Sequence, residues 1–385
     1  MPVTVTLPYG DATVSATLAA TARWLLAPPT GPAPAIESLL AAALDAPIGS
    51  PRLGDCARAG DRVTVIVSDA TRTEPRAALL AAVRDRLPEV RLTIAIATGT
   101  HGRAGGLAAL DVPLALYRDA AVIDHDGHDP RDLVDVGLTS RGTPVRVHRA
   151  VVDTDLVVAT GVIRPHYFAG FSAGAKAIFP GLAEAASARV NHRWKEDPGA
   201  RPGAIAGNPC RADLDEAAAL VGGRPFLLDG VADGHGLLRG AVAGSLARAF
   251  ERGVELARPW VTVGARRARW IVVGDRGPVT ASLYQASKLV AAVAPLLADD
   301  GTIVVVAPCP AGVGPVDVVN RGIYQIGLAP RLPPRHRVVL VSDLARPIVD
   351  QTYATWAPDL ATALAGADDV LVVPEASKLV IDVLD

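Results

Sequence analysis

The chain has 385 residues, half of them apolar and a fifth charged, with a formal net charge of −2 and no long Lys/Arg run. That is enough apolar chain for two hydrophobic cores, and the balance argues against nucleic acid or an acidic membrane surface as the main partner. The Met-Pro-Val-Thr opening has no basic stretch leading into an apolar one, and no run of about eighteen apolar residues occurs, so a cytoplasmic protein without a membrane span is expected.

In chain order, Val3–Thr17 alternates around Pro8-Tyr9-Gly10 and reads as a hairpin. Three apolar, β-branched runs follow, Arg62–Ser68, Arg91–Ala97 and Leu156–Ala159, each ending in polar or glycine-rich text. The pattern repeats at Trp270–Gly274, Thr302–Ala307, Arg337–Ser342 and Asp369–Pro374. Ala/Leu-rich stretches between them, Arg76–Arg86, Ala243–Leu256 and Leu283–Leu297, read as helices. Continuous apolar strands alternating with helices predict an α/β fold with mainly parallel sheets covered on both faces. The pattern breaks around Ala257–Arg269. This predicts two α/β domains, residues 1–266 and 267–385, with an active-site cleft between them. Cys56, Cys210 and Cys309 lack C-x-x-C spacing and read as buried reduced thiols rather than disulfides or zinc ligands.

Ligands of open parallel sheets bind beyond the carboxyl ends of the strands. Three such ends carry reactive side chains: Asp69 and Arg72 after the first run, His101 in Thr98-Gly99-Thr100-His101 after the second, and His166 in R-P-H-Y-F after the third. The densest stretch, Gly161–Ala183, adds Lys176 among small residues that let a backbone approach a ligand closely, and Asn191-His192 follows. His and Lys are types that carry proton and covalent chemistry. In the later domain Tyr284, Gln285 and Lys288 fall on one helical face, and the next strand leads into the glycine loop Ala307–Gly314. His125 and His128, in D-H-D-G-H-D-P, have metal-ligand density, but loops of this composition read first as turns.

These motifs together resemble the lactate racemase family, the 2-hydroxyacid racemases and epimerases that use a nickel-pincer nucleotide. The family's D-x-T-R, G-T-H, P-H-x-x-G-x-S-G-G-A-K, N-H and Y-Q-x-x-K motifs stand here in order as Asp69–Arg72, Gly99–His101, Pro165–Lys176, Asn191-His192 and Tyr284–Lys288. Leu7-Pro8-Tyr9-Gly10 and Gly207–Arg211 also look familial. Departures are Thr73 where the family more often has Pro, Gly102 where it has Arg, and Ala173 in place of one loop glycine.

The resemblance implies an isomerase. Lys176 would attach the nucleotide covalently, and His192 would be the protein's ligand to its nickel, completing the square-planar arrangement that Ni(II) accepts. His101 and His166 would be paired acid/base residues, one for each enantiomer. Taking the hydroxyl proton while hydride leaves the α-carbon avoids a dianion and passes through a 2-keto acid. Arg72, with Tyr284, Gln285 and Lys288, would bind substrate. Asp69 would orient a His or Arg, and the amides of Thr98, Gly99 and Thr100 would face the cofactor phosphate. Implied partners are a small 2-hydroxy acid and the proteins that make and insert the cofactor. Two other readings stay in view: a non-catalytic carrier of the nucleotide, and a nicotinamide-dependent dehydrogenase, whose G-x-G-x-x-G fingerprint after an early strand is absent.

Overall fold

A computed structural model describes residues 2–384. The chain divides into two compact units, Thr30–Trp260 and a discontinuous one made of Met1–Pro29 with Val261–Asp385. This corrects the division expected at 266/267 in two ways. The boundary lies inside the anticipated break but earlier, because Thr262–Ala265 is a strand that pairs in parallel with Val380–Val383. The first residues belong with the last, because Thr21–Trp24 pairs in parallel with Asp369–Val372.

The Thr30–Trp260 unit is built on a six-stranded sheet. Its spatial order is Leu238–Ser245, Pro225–Ala232, Leu156–Ile163, Arg62–Ser68, Arg91–Ala97, Ala121–Asp124. Every neighbouring pair is parallel except the first. Alternation explains the continuous apolar runs. Val63, Val65 and Val67 enter one core, against Leu40, Leu44, Leu79, Leu80 and Val83 of the helices Ile36–Asp45 and Arg76–Arg84. Ile66 points to the opposite face, into a core with Phe168, Phe179, Leu182 and Leu214. Both faces are thus covered, which is the usual condition of a parallel sheet. Gly207–Arg211 starts the helix Pro209–Leu220: the Asn208 side chain accepts the Arg211 amide, and Pro209 takes the first turn, where its missing N–H is not needed. The run expected as helix from Ala243 begins as helix only at Leu246, since Ala243–Ser245 ends the antiparallel edge strand.

The discontinuous unit holds a second six-stranded sheet, all parallel: Thr355–Ala357, Arg337–Val341, Leu297–Val306, Ala268–Gly274, Asp369–Pro374, Thr21–Trp24. The expected hairpin is present as Val3–Tyr9 against Ala12–Leu18, and its Val5 and Leu7 are fully buried with Val272, Val304 and Val372. The helix Leu283–Val293 follows the Ala268–Gly274 strand, its end capped by Ser282 Oγ accepting the Gln285 amide at 3.2 Å. Among the described residues no helix is long and apolar enough to cross a membrane. The three cysteines are free thiols.

Candidate active site

In the Thr30–Trp260 unit the three neighbouring strands Leu156–Ile163, Arg62–Ser68 and Arg91–Ala97 deliver their reactive residues to one end of the sheet. Asp69 follows the middle strand and is 6% exposed. Its Oδ1 accepts the Thr71 amide at 3.0 Å and the Thr71 hydroxyl at 2.5 Å, and its Oδ2 lies 2.7 Å from His101 Nδ1. Burial alone would raise the carboxyl; the His101 and Thr71 hydrogen bonds outweigh it and hold Asp69 below the ordinary carboxylate range. Beside an ionised carboxylate His101 Nδ1 carries a proton and donates it to Asp69 Oδ2. The Asp69 carboxylate thus holds the His101 ring through Nδ1.

His166 is set the other way. Its Nδ1 accepts the Ala169 amide at 3.1 Å, so the neutral ring carries its proton on Nε2. Phe168, 4% exposed, is the hub between the remaining groups. Its ring centroid lies 4.6 Å from that of His166 and 5.0 Å from that of His192, both edge-on, and Lys176 Nζ is 5.6 Å from it. Asn208 Nδ2 donates to the Phe168 carbonyl at 2.8 Å, fixing that hub to the start of the next helix.

Desolvation lowers the Lys176 amine to about 7; Cys210 opposes the shift, while the cations of Arg72 and Arg211 add to it. Desolvation, helped by Lys176, likewise brings His192 down to about 3. Near neutral pH the chain thus offers a partly uncharged amine and a neutral imidazole, the forms needed for a nucleophile and for a metal ligand. Behind them Asn191 Nδ2 donates to Asp213 at 2.8 Å and to the Cys210 carbonyl at 3.1 Å, which locks the end of the helix Ala185–His192. The Cys210 thiol, pushed up to about 12 by burial, stays protonated.

Arg72 donates to the carbonyl and hydroxyl of Thr71, with no carboxylate ion pair among the described residues. Its loop is held by two arginines that the motif reading did not single out. Arg76 donates to the carbonyls of Ser68, Asp69 and Arg72, and Arg164 donates to the Thr73 carbonyl at 2.8 Å and pairs with Glu74. The signal for Arg164 lay in the sequence, immediately before Pro165-His166.

At the Thr98–His101 turn two amides are already engaged, Gly99 to the Gly181 carbonyl at 2.9 Å and His101 to the Thr98 carbonyl at 3.0 Å, and the Thr98 hydroxyl donates to the His125 carbonyl. Gly99 sits at φ +60°, where a side chain is strained. Thr98 and Gly99 thus serve the shape of the turn. Thr100 lies in the same turn. His125 Nε2 hydrogen-bonds the Ala183 carbonyl at 3.0 Å, and the His128 amide closes a turn on Asp126, in keeping with the turn reading of that loop. Among the described residues no group of three or more His, Cys, Asp or Glu side chains could hold a metal.

In the discontinuous unit Tyr284, Gln285 and Lys288 lie in the helix Leu283–Val293, and Lys288 Nζ donates to Gln285 Oε1 at 2.5 Å. The glycine loop packs against it: Tyr284 N donates to the Val313 carbonyl at 3.0 Å, and a side chain on Gly314, at φ +86°, would stand 2.9 Å from Tyr284 Cβ. Trp356 is on the edge strand Thr355–Ala357, its indole donating to the Leu344 carbonyl.

Residues 9–203 match the family model of the lactate racemase N-terminal domain. The lactate racemase of Thermoanaerobacterium thermosaccharolyticum is 29% identical, covering 87% of this chain and 86% of its own length. That of Lactiplantibacillus plantarum is 27% identical, covering 79% of each. The solved structure of the Thermoanaerobacterium lactate racemase apoprotein superposes with a TM-score of 0.84 at 26% identity, over 99% of this chain and all of that one. A Thermotoga maritima protein shares the fold alone, with a TM-score of 0.67 at 17% identity. A family model covering half the chain, and an architecture matching that of a lactate racemase over nearly its whole length, place this chain in the lactate racemase family.

Proposed function

We propose that the protein is an isomerase that racemises or epimerises a small 2-hydroxy acid, with lactate, the substrate in its relatives' names, as the first compound to test. The observation that carries this reading is the pair of histidines held through Nδ1 in opposite senses, His101 by the Asp69 carboxylate and His166 by the Ala169 amide, at the sheet end that also holds Lys176 and His192. His101, backed by Asp69, is suited to take the substrate's hydroxyl proton at Nε2. His166 would be the second acid/base residue, as its familial motif implies. Arg72 supplies a guanidinium for the substrate carboxylate. Tyr284, Gln285 and Lys288 stay proposed substrate-binding residues on the strength of their familial pattern.

The donor set also fits the cofactor of the family. Lys176 would attach a nickel-pincer nucleotide through its amine, and His192 would ligate the nickel as a neutral imidazole. When bound, that group would supply a reversible acceptor for the α-hydrogen. The cofactor would come from separate synthesis and insertion proteins. Thr98 and Gly99 would shape its pocket, and Thr100 is the remaining candidate of that turn for its phosphate.

A non-catalytic carrier would need Lys176 and His192 but has no use for the Asp69–His101 pair, so the enzyme reading is preferred. The test uses protein produced with the cofactor-making enzymes. Lys176 should carry a mass increment, and D- or L-lactate deuterated at Cα should racemise with the label largely kept in ordinary water. Rapid washout of the label would show proton abstraction at carbon and overturn the hydride reading; a Lys176→Ala variant with full activity would overturn the attachment.

A further inference from the structure

Asp229 stands on the Pro225–Ala232 strand, directly beside Gly161 of the neighbouring strand, and is fully buried. Its Oδ2 accepts the Gly174 amide at 2.9 Å, and its Oδ1 has no hydrogen-bond partner among the described residues. A buried carboxyl with one backbone donor and no cation paired to it is costly to charge and is retained only where its acceptor matters. Burial pushes it well above the ordinary carboxylate range.

The acceptor matters because of the residue before Gly174. Ala173 has φ +66° and ψ −162°, a region that is essentially reserved for glycine. The surroundings enforce it. A side chain on Gly161 would stand 3.1 Å from Ala173 Cβ and 3.2 Å from Asp229 Oδ1, and one on Gly174 would stand 2.6 Å from the Phe250 ring. The short 3₁₀ turn Gly174–Ala177, which carries Lys176, starts at this bend.

We propose that Asp229 is the positioning residue for Lys176: its carboxyl holds the Gly174 amide and so keeps Ala173 in a conformation that L residues avoid, fixing where the lysine-bearing turn begins. Where the family loop has glycine, this chain has Ala173 and leans more heavily on the acceptor. The consequence for cofactor loading rests on the reading of Lys176 given above; the backbone claim does not.

Hydrogen exchange of the peptide spanning Ser172–Ile178, in cofactor-free protein, reads the backbone claim, and the Lys176 mass increment after cofactor production reads its consequence. Asp229→Asn keeps an oxygen acceptor and should leave both within about threefold of the parent. Asp229→Leu should exchange at least tenfold faster and load less than a tenth as much. Ala173→Gly, placed in the Asp229→Leu background, should recover at least half of both, which a generally weakened core would not do. Parent-like exchange in Asp229→Leu, Leu-like exchange in Asp229→Asn, or failure of Ala173→Gly to rescue would each overturn the proposal. If Asp229→Leu does not fold, Ala173→Gly alone decides: it should melt above the parent, and melting below it overturns the proposal. A parent that takes no increment on Lys176 while the exchange series behaves as stated would sink the attachment reading and leave the positioning role standing.

Discussion

Asp69 and His101 come from the ends of two neighbouring strands, so their 2.7 Å contact depends on the sheet register as well as on either side chain. Asp69→Asn keeps the shape but offers an amide where the ring N–H needs an acceptor, which favours the wrong tautomer. Racemisation should fall about 10²–10⁴-fold, measured as turnover of either enantiomer in loaded protein. The same carboxylate has a stability signature. Its folded value lies below the ordinary 3.8, so its contribution is complete above that pH and is lost as pH falls through the lower folded value. The parent's stability advantage over Asp69→Asn should therefore shrink on acidification below pH 3.8, read as melting temperature against pH; an advantage that grows there would contradict the assignment. At this scale residue types were legible in the sequence and partners were not. His101, His166, Lys176 and His192 could be named from motifs, whereas Asp229 lies in an apolar run more than fifty positions from the loop it holds, with nothing local to mark it.

Elements were most legible where burial on both faces made the sequence continuous. Arg62–Ser68, Arg91–Ala97 and Asp369–Pro374 begin and end where their apolar runs do. The Ala243–Ser245 stretch misled because Ala is at home in a helix but pairs here at an edge strand, where Gly244 adopts φ +120° against Ile48. The hairpin shows what alternation means energetically. Leu7 is fully buried in a cluster with Val272, Val304, Val306 and Val372, so Leu7→Ala removes side-chain volume from a site framed by sheet on one side. A loss of about 2–5 kcal/mol is expected from urea unfolding at an unchanged slope. Thr4 and Thr17 on the outer face hydrogen-bond each other at the surface, and Thr4→Ala should cost well under about 1 kcal/mol.

For the whole molecule, the α/β class and the parallel sheets could be read from the order of elements, while the membership of residues 1–29 could not. Pairing between Thr21 and Asp369 leaves no periodic trace, since each strand only has to suit its own pleat. That pairing has a consequence in time. A chain made at about 5–20 residues per second needs roughly 20–70 s to travel from Trp24 to Pro374. For most of that interval, until Ala268–Gly274 and Leu297–Val306 have been made, Val5, Leu7 and Leu18 have no partner strand to cover them, although Thr30–Trp260 can already close its own cores. Nascent chains stalled before Ala268 should be cut by protease within residues 3–24, and chains released after Pro374 should be protected there. Equal protection in both would mean that the hairpin finds shelter before its sheet exists. Residues 3–24 are thus made long before the strands that shelter them, and a chaperone that meets the emerging chain would find its longest-lived target in this hairpin.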